Sequence, residues 1–438
     1  MSGNDLSYIK NYDTLSPIAK LPQRLSNPTS FTTNILIVGG AYAGLAALRA
    51  LKNHISTRLA KIDNKKKVSI TLVEPRNGLL NILGIPKAIV NTEFAKTQFI
   101  PFNELKDCKF TNIYTTNQDE FTSDYFVEDE NFQLNYIHGV VTYLDSGKAQ
   151  YKLNNNTGGD LGIISFDYVI MANGRDRKWP TTPQAQTKPE FVSEMIKSRQ
   201  DIAADKNKVI SVIGAGAVGI EIAGDIKSEF PDKTVNLIHP HSTFPAEPLS
   251  QEFKQAIQHS IERAGINVYL NTRIASEDPD NGNLTTTDNK TIVSNLNFWC
   301  TSKRNNTNIL SQDLKNKFVS ENNNIFVNEY LQLNNSDNNK VDNFFVLGDL
   351  VELPIIKSAG WAMYMGRQVA NNLTSLIFDN KLIESFLDLS KMGYGMVVIA
   401  GNDEIISDLQ GVVELNNKDY VQEYKDYCLG KVRATLDL

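Results

Sequence analysis

Short apolar runs that stop at glycine, each followed by small and branched apolar residues at helical spacing, set the pattern of this chain. The run 34–38 leads through Gly39, Gly40, Ala41, Tyr42, Ala43 and Gly44 into a helical pattern that reads to about Leu51. A polar, lysine-rich stretch follows at 55–67. The apolar run 68–73 then predicts a second strand, ending at Glu74. Strand signals recur at 136–144 and at 166–172, the latter closed by Asn173 and Gly174. The charged stretch 175–180, ending in proline, reads as a crossing linker. The opening pattern then starts again. The run 209–213 leads through Gly214, Gly216 and Gly219 into a helix carrying Glu221, and a strand at 235–239 follows. Beyond it the pattern predicts a helix at 251–264, a strand at 266–270, a polar loop at 274–291 and a strand at 295–299. The Asn- and Asp-rich segment 281–339 reads as long surface loops. A strand near 344 ends in Gly348 and Asp349, and a helix starts at about Ala359, after Lys357 and Ser358. An amphipathic helix is predicted at 419–436.

Strand, glycine turn and helix in that order make a dinucleotide fingerprint. The chain must turn sharply, its backbone must approach a pyrophosphate closely, and the phosphate charge rests on free N–H groups at the helix start. Either loop alone is also what a turn that binds nothing looks like. Two of them in one chain point to two dinucleotides held face to face, and so to hydride transfer. The second loop has all three glycines, whereas Ala41 takes the middle place in the first. Glu74 stands where an acidic strand end accepts the adenosine ribose hydroxyls, with a polar insertion stretching the usual spacing; capping a surface turn is the plainer alternative. His239 follows Gly219 by 20 residues, at the position that discriminates the second dinucleotide. It is not acidic, so neither it nor His241 repels a 2′-phosphate, and NADPH is permitted beside NADH. Asp349, at a strand end beside a helix start, is placed for a ribityl hydroxyl.

Composition removes other classes. The chain has 438 residues, 41% hydrophobic and 21% charged, with 44 basic and 50 acidic side chains for a net charge of −6. That balance offers nucleic acid no footprint. The three cysteines, Cys108, Cys300 and Cys428, form no C-x-x-C pair, which argues against a redox-active disulfide, a cysteine-held zinc and a secreted scaffold. No metal site is expected. No apolar run has transmembrane length. The polar start resembles neither a signal peptide nor a mitochondrial presequence, and Met-Ser excludes myristoylation. The expected setting is cytoplasmic, or peripheral to a membrane such as the mitochondrial outer membrane or a lipid droplet.

These motifs, with Val73-Glu74-Pro75, Lys87-Ala88-Ile89-Val90, Phe94-Ala95-Lys96, Gly139-Val140-Val141, Ala172-Asn173-Gly174 and Phe345-Val346-Leu347-Gly348-Asp349, resemble the two-dinucleotide FAD/NAD(P)H oxidoreductases. Within them the chain is most similar to the AIF-like branch and its ferroptosis-suppressor quinone reductases. The resemblance implies an α/β fold of two Rossmann-like domains: an FAD domain at 34–178 and 300–385, interrupted by an NAD(P)H domain at 179–299. A polar arm (1–33) precedes them and a small α+β segment (386–438) follows, read as a cap, a dimer surface or a membrane contact. Gly39, Gly40, Ala41, Tyr42, Ala43 and Gly44 are then the FAD pyrophosphate loop. Glu74, with Pro75 and Arg76, holds the adenosine ribose, and Val141 meets adenine through its backbone. Asn173, Gly174, Gly348, Asp349, Ser358 and Ala359 complete the FAD site. Lys87, where the branch often has arginine, lies near the flavin, and Lys357 lies near the isoalloxazine. Gly214, Gly216 and Gly219 hold NADH or NADPH, with His239 at the adenosine end and Glu221 near the nicotinamide. Lys357 and Glu221 are the catalytic candidates. The implied activity passes hydride from NAD(P)H to FAD and electrons on to a quinone or another small acceptor, in a monomer or homodimer. The alternatives are a slow nucleotide-binding redox sensor or scaffold, and a membrane-facing type II NADH dehydrogenase, for which the terminal charge is too even.

Overall fold

The computed structural model describes residues 9–11, 33–61, 67–106, 108–128, 132–155, 161–301, 305–337 and 339–436. Most of the polar arm and the lysines at 65–66 lie outside them.

The apolar runs form the centres of two parallel sheets. In the first, strand order is Phe132–Leu144, Val68–Glu74, Thr33–Val38, Tyr168–Met171 and Lys340–Val346, with antiparallel Gln332–Asn334 at the edge. All seven residues of Val68–Glu74 are buried, as a strand covered on both faces requires. Phe132–Leu144 changes partner midway. It runs parallel to Val68–Glu74 up to His138, then antiparallel to Lys148–Leu153 from Gly139. The helices Tyr42–Leu59 and Ala359–Asp379 pack closely through small residues: a Cβ on Gly366 would lie 2.5 Å from the Ala43 carbonyl oxygen.

The second sheet orders Asn267–Tyr269, Thr234–Ile238, Val209–Ile213 and Leu296–Trp299, all parallel. Helices Ala217–Glu229 and Gln251–Arg263 belong to this unit. The C-terminal segment folds as an antiparallel sheet, Gly395–Ile399, Ile405–Leu409 and Val412–Leu415. Its turn at Ala400 and Gly401 seats on both helices. A Cβ on Gly224 would lie 2.5 Å from the Ala400 oxygen, and Ser260 Oγ donates to the Gly401 oxygen at 3.0 Å.

Four elements differ from the sequence pattern. The first helix runs on to Leu59 rather than ending near Leu51, because Ile55 continues its buried stripe while Asn53 and Ser56 face solvent. The polar segment predicted as loop is a three-stranded antiparallel sheet, Ile274–Glu277, Leu284–Thr286 and Thr291–Ile292, around buried Leu284. The Asn-rich segment also holds the helix Gln312–Phe318, capped by Ser311. The terminal helix is two, Lys418–Tyr424 and Leu429–Leu436, because Tyr427 and Cys428 take positive φ between them.

Candidate functional site

The two loops are built alike. In each the first glycine has a left-handed backbone, φ +100° at Gly39 and +105° at Gly214, and ties to the neighbouring strand: Gly39 N–H to Val73 O at 2.9 Å, Gly214 N–H to Ile238 O at 2.8 Å. The last glycine packs on the first. A Cβ on Gly44 would lie 1.8 Å from Gly39 O, and one on Gly219 would lie 1.8 Å from Gly214 O. The residue after the first glycine donates to the side chain at the end of the second strand. Gly40 N–H reaches Glu74 Oε2 at 2.7 Å, and Ala215 N–H reaches His239 Nδ1 at 3.2 Å. Neither helix start is capped by a side chain at Ala41 or Gly216, so the first-turn N–H groups face the space outside. A Cβ on Gly216 would meet nothing within 4 Å.

That space is one cleft of about 1300 Å³, above the roughly 300–1,000 Å³ of an ordinary small-ligand pocket. Both loops open into it: Gly39, Ala41, Tyr42 and Ala43 from one side, Gly216 and Glu221 from the other. Glu74, Pro75, Arg76 and Val141 line one end. Asn173, Gly174, Gly348, Asp349, Lys357, Ser358 and Ala359 also line the cleft, with Asn173 and Gly348 packed against the first loop: a Cβ on Gly39 would lie 3.0 Å from Asn173 Cα, and one on Gly348 3.6 Å from Ala43 Cβ. Gly40, Gly44, Gly214 and Gly219 lie behind the lining and shape the turns.

Electrostatics divide the cleft. Glu74 is buried and accepts from Gly40 and, at 3.0 Å, from the Arg76 N–H, which leaves it little else but the mouth of the cleft to face. Asp349 forms an ion pair with Arg175, Nε to Oδ2 at 2.7 Å, off the N–H direction. Arg177 also lines the cleft; burial and then Arg175 hold its guanidinium below the ordinary arginine range, and its Nε has no hydrogen-bond partner among the described residues. Burial brings the Lys357 ammonium down to about 8, against the pull of Asp349 and Glu352, while its Nζ donates to Val351 O. Glu221 is pushed up to about 8, first by burial and then by Asp225 one turn away. The cleft therefore presents half-buried cations, an Arg177 Nε without a hydrogen-bond partner among the described residues and two uncapped helix starts, a donor set suited to pyrophosphates, with the unpartnered Asn173 Oδ1 as an acceptor beside them.

Two predicted residues sit elsewhere. Lys87 does not line the cleft; its Nζ lies 3.2 Å from Asp225 Oδ1, because burial of that carboxylate draws the nearest cation to it. His239 does not line the cleft but is buried, with Nδ1 holding the second loop; burial, then His241 and Lys254, lower it to about 4, so it is neutral and carries its proton on Nε2. Arg175 and Arg177 were missed, having been read as linker. Two arginines immediately after the strand-end Asn173-Gly174 are the signal that points to them.

The model of the pyridine nucleotide-disulphide oxidoreductase family matches residues 33–366. The chain belongs to this family. It is similar to oxidoreductase OXR1 of Ajellomyces capsulatus, 25% identical over 414 residues that cover 89% of this chain and 84% of that protein. It is also similar to ferroptosis suppressor protein 1 of Homo sapiens, 23% identical over 355 residues that cover 78% and 81%. Its fold is that of NDH2 from Plasmodium falciparum, solved in complex with NADH, with a TM-score of 0.64 at 14% identity over 92% of this chain and 97% of that one. The expected α/β fold and the AIF-like resemblance are thereby met. The chain is an NAD(P)H-dependent flavoprotein oxidoreductase, with FAD and NAD(P)H as its cofactors. No described helix is long and apolar enough to cross a membrane.

Proposed function

We propose that this protein reduces a quinone at the expense of NAD(P)H, without a redox-active disulfide. The observation that carries this reading is that both dinucleotide loops open into one cleft with no redox-active cysteine pair in it. Cys300 and Cys428 line the cleft, but burial pushes each thiol up to about 12, so both stay protonated and unreactive. When bound, FAD and NAD(P)H supply the hydride chemistry. The chain supplies position and charge. Gly39, Ala41 and Gly44 shape the FAD loop, Glu74 binds its ribose, and Asp349 with Arg175 faces the ribityl chain. Lys357 offers a cation to the flavin ring. Gly216 leaves room for the second pyrophosphate, and Glu221 faces the nicotinamide. Leu353, Ile355, Trp361 and Met396 give the cleft an apolar side that suits a quinone ring.

The test is an anaerobic titration of FAD-loaded protein with NADH, then NADPH, followed by a short-chain benzoquinone. Visible flavin absorbance should bleach with a nucleotide and return with quinone. Bleaching without return would defeat the quinone reading. No bleaching would defeat the reductase reading.

A further inference from the structure

The reductase reading leaves a buried group of charges unused. Asp225 lies one helical turn beyond Glu221 on Ala217–Glu229, so the two carboxyls share a face. Only Glu221 lines the cleft; the Asp225 side chain is 1% exposed. Two like charges at this spacing, one buried and one half-buried at the cleft wall, resist ionising together, and their partners decide which one does. Asp225 takes a hydrogen bond from the Tyr427 hydroxyl and has Lys87 Nζ at 3.2 Å. Among the described residues Glu221 takes only a long contact from Ile399 N–H, at 3.5 Å. The negative charge therefore belongs on Asp225 and the proton on Glu221.

We propose that Asp225, pinned by Lys87 and Tyr427, is a positioning residue that keeps Glu221 protonated, so that Glu221 delivers a proton to the quinone as it is reduced. The proposal rests on the quinone-reductase reading and adds a residue mechanism to it. Reduction of a quinone by NAD(P)H takes up one proton. The nicotinamide C–H bond breaks and two electrons reach the quinone, which gains two O–H bonds. One O–H accounts for the transferred hydrogen; the other forms as the Glu221 O–H bond breaks, and solvent in the cleft returns that proton to Glu221. Burial raises both carboxyls, but Lys87 and Tyr427 oppose it at Asp225, which reaches about 6 against about 8 for Glu221. The other charged or titratable groups facing the pair are Asp403 from the C-terminal turn, Glu229 on the same helix, and Tyr424, Cys428 and Glu423 from the terminal segment.

The experiment compares turnover with a short-chain benzoquinone and with ferricyanide, an acceptor that takes electrons and no proton, across pH 6–10 in the full-length FAD-loaded protein. The ratio of quinone to ferricyanide rates should fall above about pH 8 in the wild type. Asp225→Asn should move that midpoint down by about one unit or more, since a like charge has gone. Lys87→Met should move it the same way by letting Asp225 compete for the proton, and it tests the idea at a more exposed site. Lys87→Arg should leave the midpoint in place. Glu221→Gln should lower the ratio on the order of a hundredfold. A ratio independent of pH, or superimposable midpoints for wild type, Asp225→Asn and Lys87→Met, would overturn the proposal while leaving the reductase reading intact. Ferricyanide reduction without any quinone reduction by the wild type would overturn both.

Discussion

Gly216 and Gly219 belong to one loop, yet the structure gives them different work, and a pair of variants separates them. At Gly219 a Cβ would lie 1.8 Å from Gly214 O, far inside the ~3.5 Å at which packing becomes favourable, with rigid backbone as the obstacle. The helix start must retreat, which costs about 1–3 kcal/mol or more. At Gly216 the backbone, φ −79° and ψ 179°, suits any residue and the space is open. Replacing that N-cap glycine costs at most about 1 kcal/mol. For a unit of this size 1 kcal/mol shifts Tm by about 2–4 °C. Gly219→Ala should therefore lower Tm by roughly 2–12 °C or more, and Gly216→Arg by less than Gly219→Ala and by no more than about 4 °C. Function should divide the other way. Gly216→Arg fills the approach to the second helix start, so NAD(P)H should no longer bleach the flavin although flavin content is unchanged. The assays are thermal melts, flavin content after gel filtration, and anaerobic bleaching. Equal destabilisation by both variants would refute the distinction between packing and open glycines. Loss of flavin from Gly216→Arg would mean that the two loops bind the opposite dinucleotides.

Three further outcomes are expected. Glu74→Ala leaves the Gly40 and Arg76 N–H groups without their buried acceptor, so it should cost about 2–4 kcal/mol in a denaturant melt and release the flavin on purification. His239→Asp keeps an acceptor for Ala215 N–H but adds a charge beside any 2′-phosphate; NADH should still bleach the flavin, while NADPH binding weakens by about tenfold or more in a titration. Lys357 loses its proton above about pH 8, so the midpoint potential of bound flavin should fall more steeply above that pH than below it, and Lys357→Met should remove the step in a spectroelectrochemical titration.

What could be read from the chain was local. Apolar runs into glycine turns give both nucleotide loops, because strand, turn and helix lie within some twenty consecutive residues. Glu74 was legible despite its long spacing, since the strand Val68–Glu74 marks its own end. What was hidden depends on distant partners. Lys87 looks like a flavin-side cation until Asp225, far along the chain, comes within 3.2 Å. Arg175 looks like linker until the sheet sets it against Asp349. His239 looks like a residue that faces the second dinucleotide until Thr234–Ile238 delivers it behind the second loop. The sheet Ile274–Ile292 escaped notice because its strands are only two to four residues long and bury few side chains, Leu284 foremost.

The strand-end residue of each loop has two masters. It accepts a hydrogen bond from the loop behind it, Glu74 through Oε2 and His239 through Nδ1, and has only its remaining atoms to offer a dinucleotide. This restricts how the pyridine-nucleotide preference can be redesigned. Arginine, the usual recruit for a 2′-phosphate, has no acceptor atom, so at 239 it would bind the new charge and unlatch the turn that presents it. A redesign toward NADPH has to leave 239 as an acceptor and place its cation on a neighbour free of that duty, such as position 241, where the His241 ring lies 5.2 Å from that of His239.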